Sequence, residues 1–156
     1  MAPARGARRG AWWRSERGGS LVEVALVLPV LTLLLLGVID LGRAAYYSII
    51  VQNAAESAAI YGSTNPTDSA GIEAAAKADA SNIPGGITVA TPVTGCECSN
   101  ATQISVGCAV EPRNCTNGST VINYVTVTTS YAYSPLFKCP GIPTSFTLTG
   151  SATMRQ

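Results

Sequence analysis

At 156 residues, 47% of them hydrophobic and 12% charged, the chain has room for one modest domain plus a membrane segment, which excludes two full domains. Ten Lys and Arg stand against nine Asp and Glu, but Arg5, Arg8, Arg9, Arg14 and Arg17 make up half of the basic set. From Gly19 onward five basic and eight acidic residues remain, so no basic surface is left for nucleic acid. There is no histidine, and no clustered carboxylate, lysine or tyrosine takes its place in acid–base work, so neither an enzyme nor a bound cofactor is expected.

Residues 1–18 form a basic leader. Positive charge on one side of an apolar segment keeps that side cytoplasmic, so the N-terminus is expected inside and everything after about Asp40 outside. The uncharged run Val24 to Ile39 follows. It has 16 residues, or 21 from Glu23 to Arg43 if Asp40 is tolerated at the interface. That is the short end for a spanning helix and slightly long for a secretory apolar region. Pro29 predicts a kink, because its ring removes one helical hydrogen bond, and membrane helices tolerate such a kink.

Glu23 stands alone at the mouth of this run. A carboxylate costs about 2.5–3.5 kcal/mol at a bilayer centre and less near the interface. Either it snorkels to the cytoplasmic headgroups, or it serves processing and assembly by meeting an ammonium freed at the Gly18-Gly19 pair. Three products are open. A cut near Gly42-Arg43-Ala44 would release a soluble domain, with Asp40 and Arg43 counting against it. An uncleaved signal anchor would tether the domain and leaves Glu23 and the glycines unused. A cut between Gly18 and Gly19 would retain the apolar helix, with Gly19 first and Glu23 fifth. Asp40 reads as the outer boundary marker, pairing with Arg43 or lipid headgroups.

From Asp40 to Gly62 the chain is rich in alanine. Tyr47, Val51, Ala54 and Ala58 make one helical stripe flanked by Ile50, Ala55 and Tyr61, with Gln52 and Glu56 on the opposite side. One continuous helix is predicted from about Leu21 to Tyr61, within a membrane and assembly segment 19–62. Residues 63–156 form the head. Asp68 caps a short helix, Ser69 to Ser81, carrying Glu73 and Lys77 four apart. Pro84-Gly85-Gly86 is a turn rather than a phosphate loop.

Strands then alternate at Ile87, Val89, Thr91 and Val93, and at Ile104, Val106, Cys108 and Val110. Further strands read at Val125, Val127, Thr129, Tyr131 and Tyr133, and at Phe146, Leu148, Gly150, Ala152 and Met154 against a Thr/Ser face. Such alternation predicts an antiparallel sheet covered on one side, with the helical stripe as its cover. The expected fold is α+β: a long N-terminal helix, its inner half in the membrane, packed on a small antiparallel head.

Cys96, Cys98, Cys108, Cys115 and Cys139 all lie in the outward part. With no histidine and a C-x-C rather than a two-residue spacing, they are disulfide candidates in an oxidising compartment, not a metal site. Two bridges leave one cysteine over, and 15 arrangements are possible, with Cys96–Cys98 disfavoured by geometry. Cys108 points to the apolar face by its alternation, and the leftover thiol could link neighbouring subunits. Three Asn-x-Ser/Thr sequons, beginning at Asn100, Asn114 and Asn117, read as ordinary loop composition.

Arg17-Gly-Gly-Ser-Leu-Val-Glu-Val-Ala-Leu-Val-Leu-Pro-Val-Leu, followed by Leu36-Gly-Val-Ile-Asp-Leu-Gly-Arg43, resembles the TadE-like proteins. These are pseudopilins or minor pilins of the tight-adherence (Flp) branch of type IV pili. The likeness runs from residue 17 to about 62; beyond it, only the closing Ala152-Thr153-Met154-Arg155 is similar. Val24 stands where Flp-type prepilins carry an aromatic.

The resemblance implies a bacterial single-pass protein of the plasma (inner) membrane, cut by a prepilin peptidase at Gly18/Gly19 or one bond later. Glu23 would pair with the new α-ammonium of its own chain or a neighbour. Implied partners are the membrane, other pilin or pseudopilin subunits and an inner-membrane assembly platform. The head would lie in the periplasm or outside the cell. A membrane-tethered binding domain that is never cleaved is the alternative, and a secreted domain the third reading.

Overall fold

A computed structural model describes residues 17–99, 105–106, 120–137 and 144–156. The chain divides into two compact units, Met1–Ile39 and Asp40–Gln156. Helix α1, Arg17–Thr64, contributes its first part to one and its second part to the other.

The first unit's part of α1 is helical because leucine, valine and alanine dominate it and only Pro29 interrupts the pattern. Pro29 has no N–H for the Ala25 carbonyl. Thr32 Oγ1, one turn on, donates to the Leu28 carbonyl at 2.8 Å. The side chains of Leu21, Leu26, Leu33 and Leu34 are all exposed. A helix apolar on every side belongs in a core or a membrane. Among the described residues, α1 is the one helix long and apolar enough to cross a bilayer.

The second unit is α+β, and its centre is β4, Val121–Tyr133. Strands β1, Thr88–Val89, and β2, Val93–Cys98, pair in turn along one edge of β4. Strand β5, Phe146–Arg155, runs antiparallel along the other edge, from Tyr124 opposite Arg155 to Tyr133 opposite Phe146. Strand β3, Ser105–Val106, pairs with β2. The rest of the expected strand around Ile104–Val110 lies outside the described residues.

One face of the sheet packs on α1 as the stripe requires. Val51, Ala54, Ala58 and Ala59 are fully buried against Val125 and Val127. Helix α2, Ser69–Asp79, closes the core with Ile72 and Ala76. Its cap is Asp68, whose carboxylate accepts from Gly71 N at 2.9 Å, and Glu73 pairs with Lys77 as expected. Gly71 N and the Tyr61 hydroxyl hold the Asp68 carboxyl below the usual carboxylate range. Gly85 and Gly86 both adopt positive φ (84° and 72°), the left-handed turn that only glycine takes without strain.

The expected strand from Ile87 to Val93 is broken. Val89 lies opposite Thr129 but Val93 lies opposite Thr126, so residues 90–92 hold one residue more than the partner segment. This bulge contains Pro92, which has no ladder donor. A one-residue slip turns every later side chain over. Val93 is therefore 61% exposed instead of joining Val89, while Cys96 and Cys98 turn inward and are buried.

Candidate functional site

Two clusters stand out, one in each unit. In the first, Gly19 and Glu23 lie four residues apart near the start of α1, on one face of the helix. Glu23 is exposed and heads an apolar stripe through Val24, Val27, Leu28, Leu31 and Leu35. Gly19 is exposed as well, with open space where a side chain would be. The Gly18–Gly19 bond falls in the first turn of α1. Each glycine in a helix costs roughly 1 kcal/mol relative to alanine, so this turn is cheap to unwind.

In the second unit, Asp40 gathers a cluster that sequence reading reduced to a boundary marker. Its Oδ1 accepts from the Tyr133 hydroxyl at 2.5 Å and from Leu136 N at 3.3 Å, and lies 3.7 Å from Arg43 Nη1. The same hydroxyl lies 3.0 Å from the Asp40 carbonyl oxygen. Arg43 sits 5.8 Å from the ring centres of both Tyr47 and Tyr133. Rings continue outward, Tyr47 to Tyr131 at 5.4 Å and Tyr133 to Phe146 at 5.0 Å. Burial, and then the hydrogen bond to Asp40, push the Tyr133 hydroxyl up to about 12. The expected Asp40–Arg43 pair exists, but the stronger attachment is to residues 93 and 96 positions away.

Gln52 also departs from expectation. It does not face away from the stripe's partners: its amide reaches the backbone of β5 at Ser151. Its neighbour Val51 offers a carbonyl to the Thr129 hydroxyl at 2.7 Å.

The cysteine candidates are partly visible. Cys96 and Cys98 lie on the helix-facing side of β2, with Cys96 Sγ 3.1 Å from Asn123 Oδ1. Cys108, Cys115 and Cys139 lie outside the described residues. Among the described residues, no group of three His, Cys, Asp or Glu side chains could hold a metal ion.

No curated protein and no solved structure matches this chain. A family model does, over the segment that carries Gly19, Glu23, Asp40 and Arg43. Residues 18–59 match the family described as TadE-like protein.

Proposed function

We propose that the chain is a minor pilin or pseudopilin of a tight-adherence pilus or a related secretion machine, matured by a membrane prepilin peptidase. It works by assembly and not by catalysis. The observation that carries this reading is the Gly19–Glu23 spacing at the head of a helix that is apolar all round.

Hydrolysis of the Gly18–Gly19 amide consumes one water and leaves a carboxylate on Gly18 and an ammonium on Gly19. Four residues of helix put that ammonium about 6 Å along the axis from Glu23, within reach of its own carboxylate or of one on a neighbouring helix. In a low-dielectric bundle each charge alone is heavily penalised, and together they offset part of the cost. The acid therefore favours a neighbour in register over a lone helix. The leader arginines hold the N-terminus in the cytoplasm, and the second unit lies beyond the plasma membrane. There Cys96 and Cys98 cross-link to cysteines elsewhere in the head.

The runner-up is a membrane-tethered binding domain whose leader is never removed. The N-terminal residue of the mature protein, read from purified membranes, separates the two. Gly19 or Ser20 supports the pilin reading, and an intact Met1 leader overturns it in favour of the tether. A start near Ala45 overturns both in favour of secretion.

A further inference from the structure

Ile49, Ile60 and Val93 are exposed one by one along the second unit, whereas at its Asp40 end several large apolar side chains lie close together. Leu136, Phe137 and Phe146 are 55%, 45% and 41% exposed. The sheet face turned away from α1 carries mostly hydroxyls, with Thr126 and Thr153 paired at 2.7 Å and Thr128 reaching Ser151, and Val93 is a single apolar side chain among them. Single exposed apolar residues are ordinary, but Leu136, Phe137 and Phe146 held together at one end call for a partner.

Their position names it. Leu136 N is held by the Asp40 carboxylate, Tyr133 is held by the same oxygen, and Phe146 stacks on Tyr133. Asp40 is the residue directly after Ile39, the end of the uncharged run. If that run crosses a bilayer, Asp40 stands at the lipid–water boundary, and the hydrogen bonds hold the Leu136-Phe137 turn at that level. Arg43, stacked on Tyr47 and Tyr133 and paired with Asp40 at 3.7 Å, leaves its guanidinium partly exposed at the same end. Aromatic and apolar groups beside a cation suit the glycerol and phosphate layer of a membrane.

We infer that Leu136, Phe137 and Phe146 form a foot that seats the head in the interfacial layer of the bilayer, clamped to that depth by Asp40. This rests on the reading that residues 24–39 span the membrane.

The test uses the full chain in vesicles of phosphatidylcholine and phosphatidylglycerol, with tryptophan as depth probe in a Trp12→Phe/Trp13→Phe background. Phe137→Trp should lose about half or more of its emission to lipids brominated near the headgroup, and less to lipids brominated near the chain ends. Leu31→Trp should show the opposite order, and Ile60→Trp, at the far end of α1, should be unaffected by either. A quenched Leu31 probe with an unquenched Phe137 probe overturns the foot and leaves the membrane span standing. An unquenched Leu31 probe removes the span and the foot with it. A Phe137 probe that is shielded from lipid and shifts to the blue as protein density rises assigns the patch to a second copy, and also overturns the proposal.

Discussion

Gln52 grips Ser151 by both of its backbone groups: Nε2 donates to the Ser151 carbonyl at 3.1 Å, and Ser151 N donates to Oε1 at 3.2 Å. A side-chain amide thus takes the place of a peptide on the β5 edge that faces away from β4. Open edges invite pairing with other chains, and this contact occupies the middle of one. Gln52→Ala removes both bonds to Ser151, together with the longer one to Glu56, and should lower stability by about 1–3 kcal/mol. Thermal unfolding of the detergent-solubilised protein measures it. Gln52→Glu keeps the acceptor but sets a carboxylate oxygen against the Ser151 carbonyl and Glu56, and should be at least as destabilising as alanine.

Beside that contact, Gly150 lets β5 lie directly on the helix. A Cβ there would stand 2.7 Å from the Val51 carbonyl oxygen and 2.8 Å from Gln52 Cα, and backbone cannot yield as a side-chain tip does. Gly150→Ala should therefore cost about 1–3 kcal/mol, the usual range for overpacking. Urea unfolding should show a lower midpoint with the slope unchanged. Gly37→Ala, where a Cβ meets open space, serves as the control and should be neutral or slightly stabilising.

Tyr133 gives the head an alkaline limit. Its hydroxyl titrates at about 12 in the fold against 10 in the unfolded chain, so the fold favours the protonated form. That contribution is fully present below pH 10 and is lost as the pH rises through about 12. Tyr133→Phe should flatten this part of the stability–pH profile. At neutral pH it should cost about 1–3 kcal/mol, since it takes a donor from the Asp40 carboxylate. Circular dichroism melts at pH 8 and above compare the two proteins. An equal alkaline slope in both would show that Tyr133 does not set it.

How far the sequence discloses this molecule depends on the range of each interaction. The helical stripe through Val51, Ala54 and Ala58 and the alternation of β4 are local periodicities, and both are readable residue by residue. Gly19 and Glu23 are one turn apart, so their relation is visible in the spacing alone. The bulge at residues 90–92 is different. Ile87, Val89, Thr91 and Val93 keep an unbroken alternation straight through Pro92, and only the proline hints that the ladder slips. Asp40 and Tyr133 are 93 positions apart, and nothing near either one announces the other. Gln52 reads as a solvated polar residue because only the backbone of β5 reveals what its amide is for.

Glu23 is where charge and shape can be separated. Glu23→Gln preserves length and hydrogen bonding but cannot pair with the Gly19 ammonium as an ion. Processing should continue, giving the same mature N-terminus. Incorporation into sheared surface fibres should fall about tenfold or more, because a buried charge deprived of its partner costs several kcal/mol. Glu23→Asp keeps the charge on a side chain one methylene shorter and should recover part of the loss. Gly18→Leu acts one step earlier: it should block the cut, so the leader stays attached and the fibre fraction is empty. Quantitative mass spectrometry of fibre and membrane fractions reads all three. If the Gln variant enters fibres as well as wild type, Glu23 interacts only with lipid headgroups and the ion pair has no part in assembly.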